Sequence, residues 1–171
     1  RPAFVASTTP LDMVLQTRGI VRMTWLVEAA LFRVAAGCDE RIFIQDESLP
    51  LRLAAKASRM IDLRAGITYA PIANSHLSSD KKQQHHDRFL AYYYALRDNP
   101  ALTAGQRRRI SAACVSVAWK AARQSNLRVN RFAVLMSYLG TKLGRAEASP
   151  QMLDNLASAF RQIDGIRRPP Q

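Results

Sequence analysis

Arg107, Arg108 and Arg109 stand together, and Lys120 and Arg123 follow them at helical spacing. Arg presents a planar five-donor fork that matches phosphate oxygens and stacks on flat rings, and Lys supplies a compact charge. At about 100° per residue, Arg109, Ser116, Lys120 and Arg123 fall within about 60° of one another. Ile110, Cys114, Val117, Ala118 and Ala121 fall on another side, as a core face would. The cationic stripe contains no acid. Cations in the first turns of a helix oppose its macrodipole, by about 0.3–1 kcal/mol each when exposed. An anion that meets them offsets this cost, which favours phosphate contact over a solvated face. Arg128 and Arg131 extend the series, with Lys142 and Arg145 beyond.

A second group comprises Lys81, Lys82, His85, His86, Arg88 and Tyr92-Tyr93-Tyr94. On a helix, Lys81, His85, Arg88 and Tyr92 share roughly one face. Aromatic rings beside cations suit base stacking with phosphate neutralisation on single strands. In the plainer alternative, Phe89, Leu90, Tyr93 and Leu96 are core and the polar side chains are surface. Metal binding at His85 and His86 is not expected, because adjacent helical residues point about 100° apart and no carboxylate completes a ligand pattern.

No dinucleotide fingerprint, P-loop, zinc-protease or nucleophile-elbow motif occurs, so neither a catalytic residue nor a cofactor is expected. Asp39, Glu40, Asp46 and Glu47 crowd a short apolar segment. A carboxylate pair there would suit general acid–base work, but a charge-rich loop favours a solvated patch. It also suits an edge meeting the basic side of a neighbouring subunit.

These side chains need elements to hold them, and six helices are predicted. The first spans about Pro10 to Ala36, with Thr9 as cap, Gly19 as a point of division and Gly37 as stop. The second runs from Leu49 to Arg64 behind Ser48, with Arg41–Ile44 as an isolated extended piece. A loop follows over 67–77. The third runs from Asp80 to Asp98, capped by Ser78 or Ser79 and ended before Pro100. Thr103 and Gln106 form a capping-box pair for the fourth, which reaches Gln124. The fifth covers Arg131 to Leu143 behind Asn130, and the sixth Pro150 to Asp164 behind Ser149. Short connectors between amphipathic helices predict an all-α orthogonal bundle in one domain, 1–171, with a lobe boundary near 67–79. Residues 166–171 are expected to form a mobile tail.

The whole chain is strongly basic: 171 residues, 25 Lys+Arg against 13 Asp+Glu, net charge +12. An apolar fraction of 48% excludes a disordered polycation. Twenty of the cations are Arg and five Lys. Residues 1–50 carry five basic and six acidic groups, 51–100 eight and four, and 101–171 twelve and three. The positive potential therefore concentrates at the C-terminal side and should face a polyanion or an acidic partner. No uncharged apolar run is long enough for a membrane helix: Arg22, Glu28 and Arg33 interrupt Ile20–Cys38. Cys38 and Cys114, both flanked by alanines, read as buried thiols of a reducing compartment. The first nine residues carry Ser and Thr but no acid, as the remainder of an organelle presequence would.

In size, helicity and Arg-rich faces the chain resembles the small helical subunits of multi-subunit CRISPR effector complexes. That resemblance implies a cytoplasmic, non-catalytic subunit of a ribonucleoprotein, holding RNA or single-stranded DNA by its backbone among other protein subunits. The residues it would use are Arg107, Arg108, Arg109, Lys120, Arg123, Arg128 and Arg131, with Lys81, Arg88 and Tyr92. A mitochondrial ribosomal protein shares the profile. A structural subunit of a mitochondrial membrane or respiratory complex is the alternative, its basic face meeting acidic protein or anionic lipid. A third reading places a helix-turn-helix at Asn126–Asn130, although its second helix is mostly apolar where base-reading side chains are needed.

Overall fold

A computed structural model describes residues 4–16, 25–63, 80–124, 127–144 and 147–169. They form an all-α bundle. In chain order the elements are β1 (Val5–Ser7), α1 (Pro10–Gln16), α2 (Ala29–Val34), α3 (Gln45–Lys56), β2 (Met60–Asp62), α4 (Lys81–Asp98), α5 (Ala104–Gln124), α6 (Arg131–Lys142) and α7 (Pro150–Arg161). The loop and lobe boundary expected within 67–79 lie outside the described residues.

The long helices start where local chemistry says they should. Thr103 and Gln106 make the reciprocal capping box: each backbone N–H donates to the other's side chain, at 3.1 and 3.2 Å. Asn130 accepts from Ala133 N–H, and Ser149 from Met152 N–H. For α4 the cap is Asp80, which accepts from Gln83 N–H; Ser78 and Ser79 lie outside the described residues.

The N-terminal third departs from expectation. Pro10–Ala36 is not one helix: residues 25–28 are non-helical between α1 and α2, and the division expected at Gly19 lies outside the described residues. The stop at Gly37 holds, at φ +55°, where an added Cβ would sit 3.1 Å from the Phe32 ring. The second predicted helix begins four residues earlier than Leu49, at Gln45, and takes Pro50 into its interior. It stops at Lys56 rather than Arg64. None of residues 58–63 is buried, so a longer helix would bury no apolar stripe. That stretch instead pairs antiparallel with β1, Ala6 opposite Ile61. Arg41–Ile44 is a turn, not an extended piece. Cys114 is fully buried, its thiol pushed up by desolvation, but Cys38 is exposed because it follows Gly37 in a turn.

Two apolar clusters meet on α4. The larger joins α4, α5, α6 and α7, with the Phe89 and Phe160 rings stacked at 4.2 Å. The smaller joins Leu11, Leu51, Ala54, Ala91 and Ala95. Tyr92 packs, half-buried, against both.

The acidic segment is not a solvated patch. Asp39 is buried, and its carboxylate receives Arg41 at 2.8 Å through two nitrogens and Arg52 at 3.2 Å. Glu47 is also buried and holds Arg88 in a fork at 2.9 and 2.7 Å. Only Glu40 and Asp46 of the four are exposed. Burial raises the Asp39 carboxyl, but the bonds from Arg41 and the charges of Arg41 and Arg52 overcome it and hold it below its ordinary 3.8. The unfolded chain therefore takes up this proton first as pH falls. Asp39's contribution is complete above 3.8 and is lost as pH drops through the native value. Asp39→Asn is expected to shrink the fall in Tm between about pH 5 and about pH 3, followed by circular dichroism. An undiminished fall would assign acid sensitivity elsewhere.

Candidate nucleic-acid interface

The bundle's topology decides which cations become neighbours. α4 and α5 pack against each other across the short turn 99–103. α6 folds back along α5, which stacks Trp119 on Tyr138 at 6.3 Å. The start of α4, the end of α5 and the start of α6 therefore share one end of the bundle. Lys81, Lys120, Arg123, Arg128 and Arg131 belong to that end, and all five are exposed.

His85 reports on this grouping. Burial first, then the charges of Arg88, Lys120 and Lys81, push its imidazole below the ordinary 6.5. Cations from two helices thus act on one side chain, whose Nδ1 has no hydrogen-bond partner. His86 instead bonds Asp87 at 2.6 Å. Among the described residues no cluster of three or more His, Cys, Asp or Glu could hold a metal ion.

The remaining predicted site residues are drawn away. Arg107 donates to the carbonyls of Asn99 and Pro100 and closes the α4–α5 turn. Arg108 pairs with Glu147 at 3.1 Å. Arg109 pairs with Asp12 at 2.8 Å, and Gln106 donates to the other oxygen of the same carboxylate. The anions that offset the cost of three arginines at a helix start are thus the chain's own, supplied by α1 and by the segment before α7. Arg88 is half-buried in its fork with Glu47. Tyr92 lies between the two cores rather than over a cationic groove.

At the shared end the situation is reversed. Among the described residues, Lys120, Arg123, Arg128 and Arg131 have no carboxylate within ion-pair distance. From Arg107 to Gly144 the sequence contains no Asp or Glu at all. Arg123 lies 5.9 Å from the Trp119 ring and Lys142 lies 5.8 Å from Tyr138. Two stacked half-buried rings thus lie between two cations.

Sequence reasoning missed Trp119 and Tyr138 as a pair, because nothing in spacing joins residues on different helices. It also missed Arg167 and Arg168. Within the segment expected to be a mobile tail, Arg167 is bonded to α4: Gln83, fully buried on its first turn, accepts from Arg167 N–H at 2.8 Å and donates to Arg167 O at 3.1 Å. Lys82 donates to the Asp164 carbonyl beside it. Exposed Arg167 is thereby carried to the start of α4, while the Arg168 guanidinium donates to the Arg161 carbonyl at the end of α7 at 2.9 Å.

No helix among the described residues is long and apolar enough to cross a membrane. Comparison with protein-family models, curated proteins and solved structures gave no match.

Proposed function

We propose that the chain is a non-catalytic helical subunit of a ribonucleoprotein complex, and that it binds the backbone of RNA or single-stranded DNA. The surface is the end of the bundle carrying Lys120, Arg123, Arg128 and Arg131, with Lys81 at its edge. One observation carries the reading: the bundle gives carboxylate partners to Arg88, Arg108 and Arg109 but, among the described residues, none to these four. Unneutralised cations grouped at one end favour an extended polyanion. Trp119 and Tyr138, aromatic rings beside Arg123 and Lys142, would add contacts indifferent to base identity. The outward side of α6 presents Phe132, Met136 and Leu139, which offer no donors or acceptors to base edges. Backbone contact is therefore favoured over groove reading by the 126–130 turn. The small subunits of CRISPR effector complexes are one instance of this class.

The test is to purify the chain with its natural partners and compare absorbance at 260 and 280 nm before and after nuclease. Anisotropy of a labelled single-stranded RNA titrated against salt follows. Nucleic acid that co-purifies, and affinity that falls as salt rises, are expected, since each neutralised phosphate releases counterions. Absence of RNA binding at low salt would overturn the reading and leave an acidic protein or lipid as the polyanion.

A further inference from the structure

α6 has two apolar sides, and the bundle uses one. Val134 is its only fully buried residue, and Tyr138 stacks on Trp119 of α5. On the opposite side Phe132, Met136, Leu139 and Leu143 recur at i, i+4, i+7 and i+11, which places them within about 60° of one another. Their exposures are 71%, 52%, 42% and 62%. A single exposed leucine needs no explanation, but four large apolar side chains in register along one helix form a contact surface.

The flanks of this stripe differ. Arg131 and Lys142 lie on one side, about 90–110° from its centre. Ala133 and Gly140 lie on the other, where the lack of bulk lets another backbone approach closely. No acid occurs between Leu127 and Gly144. A lipid surface would favour cations on both borders of the stripe, where headgroups lie. The same face of a second copy would bring no carboxylate to Arg131 or Lys142. A helix that is apolar along one stripe and acidic along one flank meets all three features together.

We propose that the outward face of α6 docks an amphipathic helix of a partner protein that carries carboxylates along a single flank of its apolar stripe. Its small flank lies over Ala133 and Gly140, its acidic flank meets Arg131 and Lys142, and its apolar stripe covers Phe132, Met136, Leu139 and Leu143. This surface shares Arg131 with the proposed nucleic-acid end, and its apolar stripe and Lys142 stand apart from the other three cations of that end.

The probe is a labelled helical peptide with Leu at i, i+3, i+4 and i+7 and Glu along one flank, titrated into the full chain; its control carries Lys in place of Glu. The Glu peptide is expected to bind saturably and at least about tenfold more tightly than the control. Phe132→Ser with Met136→Ser is expected to weaken it by about tenfold or more, while RNA binding stays unchanged. Lys142→Glu is expected to shift preference toward the Lys peptide. Failure of the Glu peptide to bind, equal binding of both peptides, or indifference to Phe132→Ser with Met136→Ser overturns the proposal. So does co-sedimentation with phosphatidylglycerol vesicles that the same two substitutions abolish, or a self-associated species that they dissolve. RNA binding is read separately, so loss of one function leaves the other standing.

Discussion

Replacing Lys120, Arg123 and Arg128 together by alanine is expected to leave a folded chain whose grip on single-stranded RNA is largely lost at about 0.15 M salt. All three are exposed, and none has a carboxylate partner among the described residues, so their removal strands no buried charge. Each phosphate contact on a single strand contributes about 0.7 to the slope of log affinity against log salt. Three lost contacts should therefore reduce that slope by about 2. Arg109→Ala is the matched control. It removes a cation from the same helix, but one already neutralised by Asp12 and about half exposed. Such a pair contributes about 0–1 kcal/mol to stability, and its loss should leave the slope where it was. An unchanged slope in the triple variant, or an equal fall in Arg109→Ala, would remove this end of the bundle from the proposed interface.

Asp87→Ala is expected to destabilise the chain by about 3–5 kcal/mol, the range for removing one member of a buried charged or hydrogen-bonded group. Asp87 is fully buried on α4 and meets three partners. Ile44 N–H, at the entry to α3, donates to it at 2.7 Å, Gln83 Nε2 donates at 3.0 Å, and His86 Nδ1 lies at 2.6 Å. Gln83 in turn holds both backbone groups of Arg167. One carboxyl group thus links the loop before α3, the first turns of α4 and the C-terminal segment. Alanine leaves the Ile44 amide without its acceptor and loosens Gln83, where no water replaces the lost oxygen cheaply. The expected fall in Tm is about 6–20 °C at this chain length. Urea unfolding should show the same loss, and trypsin should cut after Arg167 sooner. A loss below about 1 kcal/mol would mean that this linkage adds little to stability.

The α4–α7 half of the fold was legible because its signals are local. A capping box at Thr103 and Gln106, caps at Asn130 and Ser149, and proline at Pro150 each act within one turn of helix. The core face Ile110, Cys114, Val117, Ala118 and Ala121 followed from period alone, and all five are buried. The N-terminal third was less legible because its elements are short and held from a distance. β2 exists only because β1, more than fifty residues away, pairs with it. Glu47, buried in α3, is held by Arg88 on α4, 41 residues further along the chain.

Cations divide the same way. The amino-acid sequence by itself determined the charge, its concentration at the C-terminal side and the acid-free stretch Arg107–Gly144, since these need only residue identity and order. It also determined the direction in which each helical cation leaves its helix axis. Only the tertiary structure decided which cations remain available. Asp12 and Glu147 lie 97 and 39 residues from the arginines they neutralise. No periodicity carries information about such a pairing, because Coulomb energy depends on distance in space and not along the chain. The same folding that pairs Arg88, Arg108 and Arg109 with the chain's own carboxylates leaves Lys120, Arg123, Arg128 and Arg131 exposed without one among the described residues, and brings Arg167 to the start of α4.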